Sequence, residues 1–166
     1  AIYGGGGSVT VTTSIFINNQ ATGNDFSGCG GAIYGGGGSV TVTNSTFKNN
    51  TATGPMDGSG GAIYTVGGAT VSNSTFINNS ASSNGASICT VGNLNVKDSS
   101  FNSLNANGKA IIYIQQFGGE DKVNLTNNTI QSELLPIYND GVIITSPTTL
   151  TFDNVTVEKG ENATLT

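Results

Sequence analysis

A short sequence phrase recurs along this chain, and its period restricts the folds that the chain can adopt. In each copy, three apolar residues keep the same offsets, of two residues and then of five. The clear copies occupy 9–16, 40–47 and 69–76, and fainter copies occupy 94–101, 123–130 and 150–157. The dipeptide Ile-Tyr precedes each copy, except that the fourth copy has Ile88-Cys89. A period of about 24 to 31 residues is typical of a solenoid built from small stacked units.

Each copy of the phrase also indicates short β-strands joined at a bend. Apolar and polar residues alternate over 40–43, which is typical of a strand with one buried face. The next apolar residue, Phe47, follows five positions after Val42, and this odd offset requires a bend between them. Asn and Asp tolerate the left-handed backbone conformation that a tight bend needs. The residues predicted at the bend are Thr13, Asn44, Asn73, Asp98, Asn127 and Asn154.

The repeat predicts an all-β protein, a right-handed parallel β-helix of about six coils with three short strands in each. The coils are expected to start near residues 1, 32, 62, 86, 110 and 136 and to fill 1–158, with 159–166 as a linker or the start of a following domain. The isoleucines of the Ile-Tyr pairs are expected to point inward. A single coil cannot bury its apolar side chains alone, so stability should come from stacked neighbours. The asparagines at the bend are expected to stack as an amide ladder.

Composition argues against several classes of function. The chain contains no histidine, all five basic residues are lysines, and the net charge is −5. Nucleic-acid binding needs a basic surface that neutralises phosphates, so no nucleic-acid partner is expected. No stretch approaches the roughly 20 apolar residues of a membrane-spanning helix. Cys29 and Cys89 are expected two coils apart, at about 10 Å, which exceeds the ~4.4–6.8 Å Cα spacing of a disulfide.

The tyrosines are the best candidates for a binding surface. If each isoleucine points inward, strand alternation turns the following tyrosine outward. This predicts an exposed file of Tyr3, Tyr34, Tyr64, Tyr113 and Tyr138 along one side of the solenoid. Exposed aromatic rings can stack on sugar rings or on the side chains of a partner protein. The alternative is that the rings only stack on one another or lie beneath the corner loops.

Two further kinds of site follow from single residue types. Asp25 and Asp57 occupy equivalent long loops of adjacent coils and are candidates for Ca²⁺ ligands, but no other metal and no cofactor is expected. Sequons that could accept N-linked glycans in a secreted glycoprotein occur at Asn44, Asn49, Asn73, Asn78, Asn124, Asn127, Asn154 and Asn162. Many of these asparagines also occupy predicted turns, so modification of all eight is not expected.

The sequence contains no clear catalytic constellation. Glycoside hydrolysis requires two carboxyl groups across a sugar-sized gap, and Asp98 and Asp153 share a column about 10 Å apart. Both occupy the bend position that Asn fills in other coils, so they are interpreted as turn residues. Without histidine, neither a nucleophilic triad nor a zinc site is expected. We therefore predict that the chain is not an enzyme and has no catalytic residues.

The repeat resembles those of two families of surface proteins. The motif Gly-Gly-Ala-Ile at 30–33 and 60–63, combined with Phe-x-x-Asn at 16–19, 47–50 and 76–79, resembles the passenger repeats of the chlamydial polymorphic outer-membrane proteins. The amino-acid sequence of 44–52 and 60–64 is more similar still to adhesin-like surface proteins of methanogenic archaea. The tail 155–166 resembles the first strand of the immunoglobulin-like domains that follow such β-helices. These resemblances imply an extracellular adhesin or wall-associated stalk with no catalytic residues.

Together, these observations predict a non-catalytic, adhesin-like segment at the cell surface. It would present a binding surface to glycans or proteins of a host or a neighbouring cell. One alternative is a fragment of a polysaccharide-active lyase or hydrolase whose catalytic coils lie outside this chain. The other alternative is a purely structural stalk. The absence of arginine and histidine favours the adhesin over the enzyme fragment, whereas the sequence does not separate the adhesin from the stalk.

Overall fold

The chain folds as a parallel β-solenoid. The computed structural model describes residues 1–24, 28–104, 106–116, 122–141, 149–153 and 156–159. Within these ranges every regular element is a β-strand, and no α-helix is present. This agrees with the all-β, parallel architecture that the repeat predicts.

The strands are short and follow the repeat. The first coil contains β1 (Ile2–Gly4), β2 (Val9–Thr12), β3 (Ile15–Ile17) and β4 (Gln20–Thr22). The second contains β5 (Ile33–Gly35), β6 (Val40–Thr43), β7 (Thr46–Lys48) and β8 (Thr51–Thr53), and the third contains β9 (Ile63–Thr65), β10 (Ala69–Ser72), β11 (Thr75–Ile77) and β12 (Ser80–Ala81). The fourth contains β13 (Ile88–Val91), β14 (Leu94–Lys97) and β15 (Ser100–Ser103). Beyond it lie β16 (Ala110–Gln116), β17 (Lys122–Thr126), β18 (Thr129–Ser132), β19 (Leu135–Gly141), β20 (Thr149–Asp153) and β21 (Thr156–Lys159).

Equivalent strands stack into four parallel sheets. Sheet A has the order β1-β5-β9-β13-β16-β19, and sheet B has the order β2-β6-β10-β14-β17-β20. Sheet C has the order β3-β7-β11-β15-β18-β21, and the smaller sheet D joins β4, β8 and β12. The register aligns each phrase with its copies; Ile2, for example, pairs with Ile33, and Val9 pairs with Val40.

The expectation of three strands in every coil is wrong for the first three coils, which carry a fourth strand in sheet D. The cause is a second bend. Asn18, Asn49 and Asn78 have φ values of 56°, 53° and 48°, so the chain turns again directly after the strand that carries the phenylalanine. In the fourth coil the equivalent residue is Ser103, which does not adopt a left-handed φ, and β15 continues through it.

The core is a set of straight columns of inward side chains. The strands of sheet B alternate as predicted: Val40 and Val42 are fully buried, whereas Thr41 and Thr43 are partly exposed. On sheet C, the rings of Phe16, Phe47, Phe76 and Phe101 stack with centroid separations of 4.9, 4.9 and 4.6 Å. Parallel stacking therefore places equivalent side chains of successive coils on one another, and each coil covers the apolar side chains of its neighbours.

The predicted bend is confirmed for the residues that the structure describes. Thr13, Asn44, Asn73, Asp98 and Asn127 all adopt left-handed φ angles between 47° and 53°. The sixth predicted bend residue, Asn154, lies outside the described residues.

The amide ladder lies in a different column from the one predicted. It links Asn19, Asn50 and Asn79 beside sheet D: Asn19 Nδ2 donates to Asn50 Oδ1, and Asn50 Nδ2 donates to Asn79 Oδ1, each at 2.9 Å. The described residues at the predicted bend are exposed. One side-chain hydrogen bond links two of them, from Asn127 Nδ2 to Asp98 Oδ1 at 3.1 Å. A buried position protects an amide ladder from water, whereas the bend faces solvent.

A serine ladder that the sequence analysis did not anticipate follows the bend. The main-chain N–H groups of Ser14, Ser45 and Ser74 each donate to the serine hydroxyl of the next coil at 3.1 Å. The ladder ends where Ser99 N–H donates to Asn128 Oδ1 at 3.0 Å.

Candidate functional site

Sheet A orients the Ile-Tyr pairs as the alternation predicts. Ile33 and Ile63 are fully buried in the core, and the tyrosines that follow them lie on the outer face. Exposure falls from Tyr3 to Tyr113: Tyr3 is 77% exposed, Tyr34 and Tyr64 are half-buried, and Tyr113 is only 3% exposed. The predicted exposed file therefore describes Tyr3 fully and the half-buried Tyr34, Tyr64 and Tyr138 in part, and it is wrong for Tyr113.

The tyrosine rings stack on one another in two separate groups. The Tyr3 and Tyr34 centroids lie 5.2 Å apart, and those of Tyr34 and Tyr64 lie 5.4 Å apart. Cys89 interrupts the file, and Tyr113 and Tyr138 then form a second pair at 5.3 Å. Because neighbouring rings occupy each other's faces, the file offers ring edges and hydroxyls to a ligand. The expectation that a sugar stacks on ring faces is therefore restricted to the ends of each group.

A lysine covers the second tyrosine group. The Lys109 ammonium lies 3.8 Å from the centroid of the Tyr138 ring and 5.5 Å from that of Tyr113. This cation–π contact limits access to both rings. The first group, Tyr3, Tyr34 and Tyr64, is consequently the more accessible part of the predicted site.

A groove runs between the first tyrosine group and the strand β4. Tyr3 and Tyr34 form one wall, and Ala21, Thr22 and the segment 28–29 form the other. Burial raises the pKa of the Tyr34 hydroxyl, and nearby Cys29 and Tyr3 raise it further. The phenol is thus neutral at physiological pH and can both donate and accept hydrogen bonds.

The loop that carries Asp57 packs beside this groove. The Ser59 hydroxyl donates to Asp57 Oδ1, and Cys29 Sγ donates to the main-chain oxygen of Asp57 at 3.9 Å. Burial raises the pKa of the Tyr64 hydroxyl, and Cys89, Cys29 and Asp57 add to that shift. Burial likewise raises the pKa of the Cys89 thiol. The two cysteines do not form a disulfide, as the spacing predicts.

The structure does not assemble the predicted calcium site among its described residues. Asp25 lies outside them, so its proximity to Asp57 stays a prediction. No group of three or more His, Cys, Asp or Glu side chains suited to a metal occurs in the described part of the chain.

The predicted glycosylation sequons fall into two structural classes. Asn44, Asn73 and Asn127 are exposed at the left-handed bend, as is Asn49 at the second bend. Asn78 and Asn124 are only partly exposed, and the side-chain oxygen of Asn78 is buried. Asn154 and Asn162 lie outside the described residues. Solvent access therefore favours the first class as glycan acceptors, and their modification stays a prediction.

Asp98 is a turn residue, as its column predicts. It adopts φ 50° at the bend, accepts a hydrogen bond from Asn127 and lies 3.7 Å from the Lys97 ammonium. Its proposed carboxylate partner, Asp153, is described only by its backbone position in β20, paired with Thr126.

A further concavity on the outer face of sheet B was missed by the sequence analysis. Its floor is one column in which Thr70 of β10 pairs with Asn95 of β14, which pairs with Asn124 of β17. Thr70 and Asn95 are exposed and Asn124 is partly exposed. The sequence signal for this column was the offset that the three residues share within the repeat. It was missed because threonine and asparagine are ordinary residues on the outer face of a strand.

The rim of this concavity comes from the corner before sheet B. Gly67 and Gly68 contribute no side chains there, and φ 89° at Gly68 is a conformation that glycine adopts readily. Asn93 and Lys122 complete the rim. The Lys122 main-chain N–H donates to Asn93 Oδ1 at 2.7 Å, which fixes the orientation of that amide. We call this concavity the sheet B groove.

The fold and its surfaces together define a repeat protein of the β-solenoid class, with shallow grooves along its sides. Within the part of the chain that the structure describes, no segment forms a membrane-spanning helix.

Three successive segments of the chain match one repeat family, the Chlamydia polymorphic membrane protein repeat. The matched residues are 13–38, 44–66 and 73–91, which together make up less than half of the chain. Each segment begins at or near a left-handed bend and extends into the next strand of sheet A. The chain thus carries repeats similar to those of the polymorphic membrane proteins, as its motifs indicate. No curated protein and no solved structure matches it.

Proposed function

We propose that this chain is a non-catalytic, adhesin-like β-helix segment, displayed outside the cell, that presents binding surfaces to glycans or partner proteins. The observation that carries the proposal is the match of three successive segments to the polymorphic membrane protein repeat. A solenoid also suits this role, because its stacked sheets form long surfaces of repeated side chains. The resemblance to archaeal adhesin-like proteins, the extracellular location and the glycan or protein partners belong to the same proposal.

We also infer that the six strands of each long sheet correspond to six right-handed coils. Support comes from the strong preference of parallel strands for right-handed connections, seen in about 98% of cases.

The non-catalytic part of the proposal rests on the chemistry of the side chains. The chain has no histidine and no arginine, so it lacks two of the groups that most often move protons or bind anionic transition states. Asp98, the carboxylate that was considered for catalysis, lies at a bend and accepts a hydrogen bond from Asn127.

The proposal is tested by screening the purified chain on a broad glycan array, with and without Ca²⁺, and on intact cells by flow cytometry. We expect specific retention on a restricted set of glycans or cell types. Tyr34→Ala should weaken it if the first tyrosine group forms the site. Ile17→Ala is the matched control, because Ile17 is an outward apolar residue on sheet C that is 51% exposed.

Each outcome separates the candidates. Binding that requires Ca²⁺ would support the site at Asp25 and Asp57. Binding lost equally in both variants would rule out the tyrosine group as the site. A blank array together with unlabelled cells would overturn the adhesin proposal and favour a structural stalk. Turnover of any array polysaccharide would overturn the non-catalytic assignment.

A further inference from the structure

We propose that the sheet B groove binds a neutral, extended polysaccharide whose chain runs along the solenoid axis. This rests on the proposed adhesin function and assigns it a second surface, separate from the tyrosines. The floor is the column Thr70–Asn95–Asn124, which crosses three adjacent strands in register. Adjacent parallel strands lie ~4.8 Å apart, so the groove repeats a hydroxyl or amide at that interval.

A straight column selects for the shape of its ligand. An extended β-linked glycan is itself a nearly straight ribbon with hydroxyls at regular intervals along both edges. Such a chain can meet Thr70, Asn95 and Asn124 with successive sugar units. A compact or helical α-linked glucan cannot keep its hydroxyls in line with the column over the same distance. Thr41, the neighbour of Thr70 in the next strand, continues the column beyond the groove.

The side chains of the groove suit hydroxyl recognition. Asparagine amides donate and accept hydrogen bonds in one plane, as two neighbouring sugar hydroxyls require. The Asn93 amide is already oriented by the 2.7 Å hydrogen bond to its oxygen, so its NH₂ group remains directed away from that bond. Fixing this side chain before binding reduces the conformational entropy that a ligand must overcome.

The rim of the groove combines a glycine corner with Lys122. Gly67 and Gly68 form the corner without side chains. A Cβ on Gly67 would meet the backbone of Gly37 and Gly38, and one on Gly68 would meet the Asn93 carbonyl oxygen, so glycine allows the adjacent coils to pack closely here. Among the described residues that line the groove, Lys122 is the only cation, and the whole chain carries a net charge of −5. That overall charge repels a polyanionic ligand at long range, and a neutral polysaccharide avoids this repulsion.

The test is affinity electrophoresis of the full chain in gels that contain hydroxyethylcellulose, a soluble β-linked glucan, or dextran, an α-linked one. We expect retardation by the first polymer and none by the second. The double variant Asn95→Ala and Asn124→Ala should weaken the interaction by about tenfold or more, since it removes two hydrogen-bonding amides.

A matched control removes two outward amides from the same two coils on another face. Asn102 and Gln131 lie on sheet C and are joined by a 3.0 Å side-chain hydrogen bond. Asn102→Ala with Gln131→Ala should leave retardation within about twofold of the unaltered chain. Circular dichroism and the thermal midpoint verify that both double variants remain folded.

The possible failures are distinguishable. Loss in both double variants, or in neither, would overturn the groove assignment, but the proposed function would stand because the glycan would be bound elsewhere. Retardation by dextran as strong as by hydroxyethylcellulose would overturn the selection for an extended chain. If neither polymer retards the chain, the groove proposal fails, and the separate glycan array then decides whether the proposed function fails with it.

Discussion

The first three coils and the coils from Ile88 onwards share one backbone register but stabilise it with different side chains. The early coils stack an amide ladder, and Asn50 at its centre is completely buried and bonded to both neighbours. At the equivalent position the fourth coil has Leu104, which is 36% exposed, and no ladder continues there. The later coils instead bury a dense apolar strand, in which Ile111, Ile112 and Ile114 are all fully buried.

The comparison separates what defines the fold from what is added locally. Both regions keep the inward columns of sheet B and the left-handed bend, which extends from Thr13 to Asn127. The fourth strand, the amide ladder and the glycine corner occur in the early coils. Inward apolar residues and the bend are therefore sufficient for stacking, and polar ladders are one of several ways to hold successive coils in register.

The largest effect should come from breaking the feature that both regions share. Val42→Asp places a carboxylate in a fully buried column of the early coils, and Leu125→Asp does so where the later column is 1% exposed. A buried charge without a partner costs more than most single substitutions, so we expect each variant to lose ~4 kcal/mol or more and to unfold. Urea denaturation followed by circular dichroism measures the loss.

The control for this prediction is Thr41→Asp, which carries the same charge on the outer face of the same strand. It should change stability by less than about 0.5 kcal/mol. If Leu125→Asp were tolerated while Val42→Asp unfolded the chain, the later coils would not share the early core.

A smaller loss is expected from a substitution that affects only the early ladder. Asn50 accepts from the main chain and the amide of Asn19, and donates to Asn79 Oδ1 and to the Phe16 carbonyl, over distances of 2.9 to 3.0 Å. Asn50→Ala removes these bonds and leaves their buried partners without a hydrogen bond. We therefore expect it to lower the free energy of unfolding, measured by urea denaturation, by about 3 kcal/mol. The exposed Asn102→Ala should cost less than about 0.5 kcal/mol. Equal costs for the two variants would mean that the ladder contributes nothing beyond a surface amide.

The sequence was sufficient to predict the stacked parallel strands and the first bend of each repeat, but not the second bend or the side-chain contacts. Residue offsets identified the strands and the bend, because a left-handed position leaves a local signature in Asn and Asp. The fourth strand was missed because the sequence analysis placed one bend in each repeat, whereas Asn18 forms a second left-handed bend and Asn19 begins the ladder.

The candidate sites were predicted less completely. Alternation gave the side of the sheet on which each tyrosine lies, but not how loops cover it, as the burial of Tyr113 and its contact with Lys109 show. The sheet B groove depends on a corner of glycines lying beside Asn93 in the next coil. Contacts between residues about one coil apart depend on loop geometry, which a local pattern does not encode.

Two threonines at the same position in adjacent coils sharpen the comparison further. Thr65 and Thr90 are register partners, and both are fully buried. The Thr65 hydroxyl lies 3.2 Å from the Gly38 carbonyl oxygen and 3.3 Å from that of Gly68, whereas the Thr90 hydroxyl has no hydrogen-bond partner in the described part of the chain.

Replacement of each threonine by the similarly shaped valine should therefore have opposite effects. Thr65→Val loses a buried hydrogen bond and should destabilise the protein by about 1–2 kcal/mol. Thr90→Val removes a buried hydroxyl that gains nothing in the fold, and it should be neutral or stabilising by up to about 1 kcal/mol. Thermal and urea unfolding of both variants measure the difference. Destabilisation of the same size in both would show that Thr90 is hydrogen-bonded in solution and that the two coils do not differ here.

The smallest effect should come from backbone strain at the bend, and this strain should be similar in the two regions because both contain the bend. Asn44 and Asn127 have φ values of 51° and 53°, a conformation in which alanine is strained and glycine is not. Asn44→Ala and Asn127→Ala should each cost about 1 kcal/mol. Asn44→Gly should be close to neutral, while Asn127→Gly should retain a small loss because Asn127 also donates to Asp98. Urea midpoints of the four variants measure these differences. If alanine cost no more than glycine at either position, backbone strain would not be the reason for asparagine at the bend. The inward columns alone would then have to determine where each coil turns.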